Sequence, residues 1–301
     1  MRTFNAYHMY TLAFFGTSSF AVPLLQRLAA DARFQVVVVG TQPDRPVGRK
    51  HLLTPPPVKE TALALGLPVF QPERMRSPEA LEALRAYSFD AAVVASYGQI
   101  LPQAVLDLAP QRWINLHGSI LPRYRGASPI TEAIKQGDDV TGITVMIMDT
   151  LMDHGPTLST ATTPILPTDT TETLSATLAQ LGAEHLPTTL FEYLEGRLTP
   201  QEQNHAAATP CALLRKDDGA IDPTTMEAVA LERLVRAYTP WPRVSIQLAG
   251  QRVQLLRAHV GSEAPGALSI NCKTGTLIID ELRPEGKAAM SGEAFLRGRR
   301  S

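Results

Sequence analysis

Apolar runs alternate with segments of helical periodicity over the first two thirds of the chain. The strand-like runs lie at residues 10–15, 34–40 and 90–96. The segments of helical periodicity lie at residues 20–30, 58–65 and 78–87. Continuous apolar strands that alternate with helices are typical of a parallel sheet covered on both faces. The pattern therefore predicts an α/β fold in which a Rossmann-like, doubly wound parallel sheet forms the N-terminal domain.

The pattern changes beyond a long helical segment at residues 170–194. The next stretch is polar, rich in small residues and without clear periodicity, which indicates a linker. A helical segment and short alternating strands separated by Gly, Asn and Pro follow, and they predict a small C-terminal β-barrel of OB-like type. We expect an N-terminal domain, a linker and a C-terminal barrel at residues 9–197, 198–212 and 213–301.

Gly16 follows the first predicted strand but lacks the Gly-x-Gly-x-x-Gly pattern of dinucleotide sites. A Rossmann-like fold without a dinucleotide is therefore expected. Ligands of such sheets bind beyond the carboxyl ends of the strands. Residues 97–102, 119–122 and 149–153 each follow a predicted strand directly, so we expect them to converge on one crevice.

The composition is that of a globular protein long enough for two domains, with 301 residues, 44% hydrophobic and 19% charged. Residues 1–212 carry 15 basic and 19 acidic side chains and residues 213–301 carry 13 and 10, so the C-terminal part is better suited to a polyanion. Two cysteines cannot form a disulfide framework or a zinc site, which favours a reducing cytoplasm. No apolar run approaches the roughly eighteen residues of a membrane span.

Asn115 and His117 lie two positions apart in a predicted strand, and Asp153 follows in another segment. Residues two apart in a strand project from the same face. An amide, an imidazole and a carboxylate can stabilise an oxyanion, move a proton and orient the imidazole, as acyl transfer between two nitrogens requires. The other interpretation of the Asn-x-His pair alone is a hydrogen-bonded buried pair. No nucleophile and no metal ligand cluster are needed.

The run at residues 115–122 resembles the Asn-x-His-x-Ser-Leu-Leu-Pro signature of enzymes that use 10-formyltetrahydrofolate as a formyl donor. The resemblance implies that Asn115, His117 and Asp153 are the catalytic set. His154 beside Asp153 is either an additional acid or base or a turn residue, and the family motif does not require it. It also implies a folate site, for which we expect contacts from Tyr97, Gly98, Ile100, Leu101, Ser119, Ile120, Leu121, Pro122 and Asp149. Ile120 stands where the signature has leucine, a change that keeps volume and polarity.

Further segments resemble the methionyl-tRNA formyltransferase family, at residues 15–23, 41–59, 237–242 and 286–291. That resemblance implies a monomer that formylates initiator methionyl-tRNA, with a catalytic N-terminal and a tRNA-binding C-terminal domain. Two alternatives stay open. One is a formyltransferase for a small amine, such as an amino sugar nucleotide or glycinamide ribonucleotide; the other is a folate- or RNA-binding protein without catalysis.

A basic, proline-rich loop lies between residues 43 and 59. Proline limits the unbound conformations of such a loop, and its cations suit phosphates. The loop resembles the family's segment that reaches the acceptor stem, which implies tRNA contacts from Arg45, Arg49, Lys50 and Lys59; a solvated surface loop is the alternative. Arg123 and Arg125 suit either a helix start or the substrate, and the basic tail at residues 297–300 either RNA or a frayed end.

Overall fold

A computed structural model describes residues 9–47, 51–110 and 112–298 of the chain. The chain divides into two compact units. The first contains residues 1–125, 142–163 and 175–210, and the second contains residues 126–141, 164–174 and 211–301. Each unit is therefore assembled from segments that are distant in sequence.

The described residues form strands joined by helices in the first two thirds and mostly strands in the last third. The strands are β1 (Tyr10–Gly16), β2 (Phe34–Gly40), β3 (Arg45–Val47), β4 (Leu52–Thr54), β5 (Val69–Phe70), β6 (Ala91–Ala95), β7 (Trp113–His117), β8 (Arg125–Gly126), β9 (Val140–Ile147), β10 (Thr157–Pro164), β11 (Pro210–Cys211), β12 (Ser245–Leu248), β13 (Gln251–Gly261), β14 (Ser269–Asn271), β15 (Thr276–Pro284) and β16 (Met290–Ser291). The α-helices are α1 (Val22–Ala29), α2 (Pro57–Ala64), α3 (Pro78–Arg85), α4 (Gln103–Leu106), α5 (Pro129–Gln136), α6 (Thr171–Leu194), α7 (Ala228–Ala237) and α8 (Gly292–Arg297).

The central sheet of the first unit has the order β10-β9-β7-β6-β1-β2-β5. The neighbouring strands β5, β2, β1, β6 and β7 all run parallel. Phe14 of β1 lies opposite both Val39 of β2 and Val93 of β6. The order steps outward from β1 in both directions, as in a doubly wound sheet. The predicted Rossmann-like fold is confirmed for this part of the chain.

One strand departs from the predicted parallel arrangement. β9 runs antiparallel to β7, with Ile147 opposite Ile114 and Thr144 opposite His117. Its carboxyl end therefore lies beside the start of β7, so residues 149–153 leave the sheet at the opposite end from residues 119–122, although Asp153 still reaches Asn115 and His117. Continuous burial along β9 indicates that both faces are covered, but it does not encode the direction of the strand.

An aromatic cluster lies beneath the strands that lead to the site. The ring centroid of Phe15 lies 5.2 Å from that of Tyr97 and 5.0 Å from that of Trp113. Trp113 also meets Phe89 edge to face, and its indole N–H donates to the Val105 carbonyl at 3.1 Å. These contacts fix the start of β7 against β1, so the functional segment begins from a rigid core.

The second unit is built on an antiparallel sheet in the order β12-β13-β15-β14, with β16 paired to β15. Register shifts in β13 near Arg257 curl the sheet, which is consistent with the predicted small barrel. Helix α7 packs on β13 and β15 and buries Leu231, Leu234 and Val235. Periodic apolar positions thus place this helix on the sheet.

Two segments that the sequence assigns to the N-terminal domain lie in the second unit. Helix α5 packs against α7, and the hydroxyl of Thr171, at the start of α6, donates to the Ala237 carbonyl at 2.6 Å. Arg236 of α7 donates to the Asp169 carbonyl at 3.0 Å. Local periodicity predicts these helices but not the partner on which they pack. Among the described residues, no helix is long and apolar enough to cross a membrane.

Candidate active site

Strand β7 places Asn115 and His117 on one face of the central sheet, as the predicted strand requires. The strand lies between β6 and β9, so both side chains leave the middle of the sheet. Leu116 points to the opposite face, where a Cβ at Gly182 of α6 would lie 2.9 Å from its Cδ1. His117 is only 5% exposed. The sheet and α6 therefore hold the strand, and little water surrounds the imidazole.

The predicted catalytic side chains meet in the structure. The Asn115 amide donates from Nδ2 to Oδ1 of Asp153 at 3.3 Å. The other carboxylate oxygen of Asp153 lies 3.5 Å from Nδ1 of His117. Both side chains of the His–Asp pair are largely buried, which strengthens electrostatic interactions between them. An amide, an imidazole and a carboxylate thus form one contiguous group.

The contacts of His117 define which nitrogen carries its proton. Nε2 lies 2.9 Å from the Tyr124 carbonyl oxygen, which can only accept, so Nε2 donates. A neutral His117 then directs the lone pair of Nδ1 at the carboxylate of Asp153, whereas a proton on Nδ1 turns this contact into an attraction. Nδ1 and the Asp153 carboxylate thus face each other directly.

Asp153 reaches the site because the connection between β9 and β10 folds back over β7. This connection starts level with the beginning of β7, where the Met148 N–H donates to the Trp113 carbonyl at 2.8 Å. Asp153 adopts a left-handed backbone with φ of 49°. Gly155 allows close packing, since a Cβ there would lie 2.1 Å from the Ile147 carbonyl oxygen. The turn thus returns Asp153 to the face that carries Asn115.

The predicted folate segment after β7 is held by its own strand neighbours. Ser119 is fully buried and its hydroxyl donates to the Arg123 carbonyl at 2.6 Å. Thr144 of β9 donates to the Ser119 carbonyl at 2.7 Å and accepts from the Leu121 N–H at 3.1 Å. Leu121 is also buried, so Ser119 and Leu121 shape the segment from within. Ile120 and Pro122 are partly exposed.

Replacing Thr144 by valine is expected to destabilise this unit. The substitution keeps the shape of the side chain but removes the hydroxyl that pairs two buried backbone groups of residues 119–121. Each buried group left unpaired costs about 1 to 3 kcal/mol in free energy of unfolding. Urea denaturation measures the loss, and the exposed Thr160→Val on neighbouring β10 is the matched control. Equal midpoints for the two variants would contradict the role of the hydroxyl.

The second predicted folate segment follows β6. The Tyr97 ring and Leu101 belong to the aromatic core of the unit, whereas Gly98 is exposed and Ile100 is 81% exposed. The Tyr97 hydroxyl is buried without a hydrogen-bond partner among the residues that the structure describes. Burial raises the pKa of this phenol above its usual value, so it remains a donor. Gly98, with φ of 80°, leaves room for the Gln42 amide to reach the Tyr97 carbonyl.

Asp149, predicted to contact folate, is engaged within its own turn. One carboxylate oxygen accepts from the Leu151 N–H at 2.8 Å and the other lies 2.7 Å from Nδ1 of His154. His154 also stacks on His205, with ring centroids 4.2 Å apart. These contacts agree with the interpretation of His154 as a turn residue, and they make Asp149 a support of the turn.

The predicted basic loop is a β-hairpin in which β3 pairs with β4. Pro46 opposes Leu53 in this ladder. A strand of three residues that contains a proline is not recognisable as a strand from its sequence. The Arg45 side chain is 57% exposed and lies 3.3 Å from a Glu73 carboxylate that is itself 73% exposed. Such a pair is weak and easily exchanged for another anion.

The other predicted tRNA contacts differ from Arg45. Both carboxylate oxygens of Asp44 accept from the Lys59 ammonium at 2.8 Å. Hydrogen bonds from Gln71 and Lys59 hold the pKa of Asp44 below its usual value. The charge of Lys59 is therefore compensated at the base of the hairpin, which makes it a weaker RNA contact than Arg45. Arg49 and Lys50 lie outside the described residues.

Two features of the site were missed from the sequence. Gln203, within the predicted linker, is 7% exposed and donates to backbone carbonyls of the Asp153 turn. Arg125 donates to Gln203 at 2.7 Å, and the guanidinium of Arg123 lies 4.7 Å from the centre of the Tyr124 ring. A polar residue in an aperiodic stretch gives no local signal of burial, because its partners are distant in sequence.

With this geometry established, the chain can be compared with known proteins. The model of the formyl transferase family matches residues 10–190, and that of the formyl transferase C-terminal domain matches residues 213–300. A methionyl-tRNA formyltransferase of Roseiflexus sp. (strain RS-1) is 42% identical over 301 aligned positions, which cover 96% of this chain and 92% of that protein. The chain belongs to the methionyl-tRNA formyltransferase family.

Solved structures share the fold at lower identity. An N-formyltransferase from Helicobacter canadensis, in complex with folinic acid and dTDP-3-aminofucose, has a TM-score of 0.68 and 13% identity over 92% of this chain and 100% of that one. HypX from Aquifex aeolicus, in complex with tetrahydrofolic acid, has a TM-score of 0.63 and 17% identity over 96% of this chain and 47% of that one. Membership of the methionyl-tRNA formyltransferase family thus rests on sequence, and these structures agree with the fold.

Proposed function

We propose that this protein transfers the formyl group of 10-formyltetrahydrofolate to the α-amino group of methionyl initiator tRNA, giving N-formylmethionyl-tRNA for translation initiation. The observation that carries the proposal is that Asp153 meets both Asn115, at 3.3 Å, and His117, at 3.5 Å. It occurs in a chain that is 42% identical to a methionyl-tRNA formyltransferase over 96% of its length. The enzyme needs no covalent intermediate, because the amine itself attacks the formyl carbon.

Asn115 is proposed to stabilise the oxygen that gains negative charge when the amine attacks. One N–H of its amide donates to Asp153, and the amide carries a second N–H that can donate to a substrate oxygen. The contact with Asp153 fixes the amide orientation before substrate binds. A donor that is oriented in advance stabilises the transition state without a cost of reorganisation.

The His117–Asp153 pair is proposed to receive the proton that the amine loses. Nδ1 and the carboxylate face each other at 3.5 Å, so a proton taken from the amine can lie between them. The same proton can then pass to the nitrogen that leaves the formyl group, which balances the transfer. Since Nε2 of His117 donates to the Tyr124 carbonyl, only Nδ1 is positioned to take part. The imidazole is therefore proposed to exchange the proton through Nδ1 and not through Nε2.

The residues around the crevice fit a folate donor. A buried hydroxyl without a partner, such as that of Tyr97, is uncommon in proteins and would be satisfied by a polar group of a ligand. Gly98 and Ile100 present exposed backbone and an apolar side chain in the same loop. Ile120 and Pro122 lie directly after the catalytic strand. When bound, the folate supplies the formyl group at the oxidation level of the product.

The β3–β4 hairpin is proposed to contact the acceptor end of the tRNA. Its exposed cation Arg45 is accompanied by Leu52 and Leu53, which are 64% and 69% exposed. Cations bind phosphates, and apolar side chains stack on unpaired bases. The C-terminal barrel, whose residues 213–301 carry a net positive charge, is proposed as the second tRNA-binding surface.

Arg45→Ala is expected to raise the KM for methionyl-tRNA and leave kcat nearly unchanged. Loss of one phosphate contact reduces the salt slope of tRNA binding by about 1. Binding is measured between low and physiological salt. The matched control is Arg85→Ala, because Arg85 is also about half exposed and paired with a glutamate at 3.4 Å. An Arg45→Ala slope equal to that of the parent would remove the hairpin from the interface.

Formyl transfer from 10-formyltetrahydrofolate decides between acceptors. Methionyl initiator tRNA is compared with glycinamide ribonucleotide and with an amino sugar nucleotide at equal concentration. We expect transfer to the tRNA only. Transfer to a small amine with none to tRNA would establish the alternative, and binding of donor and tRNA without any transfer would indicate a protein that has lost catalysis.

Since translation supplies the acceptor, we propose that the enzyme acts in the cytoplasm, and we expect it to act as a monomer.

A further inference from the structure

We infer that Gln203 is a positioning residue that holds the Asp153 turn in its reactive geometry, an inference that rests on the proposed formyl transfer. Gln203 lies in the aperiodic stretch between the two matched family regions, yet it is 7% exposed. A buried amide requires partners for its donors and acceptors. The identity of those partners links this stretch to the reaction centre.

The Gln203 side chain bridges the turn to a fixed cation. Its Nε2 donates to the Asp153 carbonyl at 3.0 Å and to the Gly155 carbonyl at 2.7 Å. Its Oε1 accepts from Nε and Nη2 of Arg125 at 3.2 and 2.7 Å. Because a guanidinium can only donate, Arg125 fixes which end of the amide is oxygen. Both amide hydrogens therefore point at the turn.

The Asp153 turn needs such support. Asp153 has a left-handed backbone, which is rarely adopted by residues other than glycine and persists only where the surroundings hold it. Its side-chain contacts to Asn115 and His117 are long, at 3.3 and 3.5 Å. Gln203 binds the carbonyls on both sides of His154 and so fixes the backbone from which the carboxylate extends.

The same stretch contacts the turn at a second point. Nη2 of Arg125 donates to Nδ1 of His205 at 2.9 Å, and the His205 ring stacks on His154 at 4.2 Å. His154 in turn donates to Asp149 at 2.7 Å. The turn is thus supported from its backbone by Gln203 and from its side chains by His205. Among these groups only Gln203 reaches the backbone of Asp153 itself.

The test compares Gln203→Leu with Gln201→Leu. Gln201 is exposed, two positions away, and its amide reaches only as far as the Thr199 carbonyl at 3.2 Å. A small misplacement of a reacting group lowers rates by up to about 100-fold. We expect Gln203→Leu to lower kcat on the order of 10- to 100-fold, with the KM values of donor and tRNA within about threefold of the parent. Gln201→Leu should match the parent.

A double-mutant comparison separates positioning from general stability. If Gln203 acts through Asp153, then adding Gln203→Leu to Asp153→Asn should lower single-turnover rates by less than about threefold further. A full additional loss would overturn the inference, and so would a Gln203→Leu enzyme with parental kcat. Should Gln203→Leu not fold, Gln203→Glu replaces it, since a carboxylate still accepts from Arg125 but cannot donate to the turn.

Hydrogen exchange provides a readout that does not need activity. Amides of residues 149–155 should exchange faster in Gln203→Leu than in the parent or in Gln201→Leu. If Gln203→Leu exchanges faster but the parent enzyme formylates none of the acceptors, the structural role of Gln203 holds and the proposed function fails. Unchanged exchange together with an active parent would overturn the positioning role alone.

Discussion

Replacing Asp153 by asparagine is expected to lower kcat by roughly 10²- to 10⁴-fold, the range that proton transfer contributes to catalysis. The amide keeps the shape of the side chain but cannot hold a proton with His117. Asparagine Nδ2 instead donates to Nδ1 of His117, which fixes the imidazole in its neutral form with Nε2 bound to the Tyr124 carbonyl. The measurement is single-turnover formyl transfer to methionyl initiator tRNA at saturating donor.

Binding distinguishes this loss from a damaged fold. The Asp153→Asn enzyme is expected to bind tRNA and donor within about threefold of the parent, since the carboxylate serves the chemical step rather than ground-state binding. Asp107→Asn is the control, because Asp107 is exposed on α4's carboxyl side and accepts only a surface hydrogen bond from Gln103. Substantial turnover by Asp153→Asn would mean that the reaction centre is misassigned.

Asn115→Ala is expected to lower kcat by about 10²- to 10³-fold, which is the usual effect of removing one oxyanion donor. The substitution removes the amide N–H groups, one of which orients Asp153 before substrate arrives. Because the oxygen gains charge only in the transition state, the KM values should change little. Initial rates over a range of methionyl-tRNA and donor concentrations separate the two parameters.

Asn204→Ala serves as the comparison for Asn115→Ala, since Asn204 is exposed. Both variants should unfold at nearly the parental temperature if Asn115 serves the reaction rather than the fold. A fall in KM alone, or an Asn115→Ala enzyme that retains a tenth or more of the parental kcat, contradicts the proposed donor role, because about 10²-fold is the lower limit expected.

The sequence predicted which side chains meet at the site better than it predicted the shape of the site. Asn115 and His117 share a face because strands alternate with a period of two, and the boundaries Trp113–His117 match the predicted strand. The hairpin β3–β4, by contrast, is predicted as a loop from the sequence. Its strands have three residues each and one contains a proline, so they are too short to show the alternation typical of a strand. Long periodic elements are recognisable in sequence, whereas short ones are fixed by their partners.

Burial patterns alone also left the roles of several predicted residues undecided. Lys59 and Arg45 look alike as cations of one loop, but Lys59 is bound by Asp44 while Arg45 extends into solvent. Tyr97 and Ile100 belong to one segment that is predicted to bind folate, but Tyr97 packs in the core and Ile100 is exposed. Such differences depend on which neighbour the fold supplies, so no local pattern reports them.

The sequence by itself determined the α/β and barrel elements, the formyl-transfer motif and the three side chains that are proposed to be catalytic. Local periodicity and a linear motif are sufficient for these, since both concern residues close in the chain. Only the tertiary structure decided that β9 runs antiparallel to β7 and that its loop folds back to bring Asp153 to Asn115. It also decided that Gln203 supports that loop, through partners 50 and 78 positions away. Apolar patterning specifies which surfaces are buried, but strand direction and distant hydrogen bonds are settled only when the elements pack together.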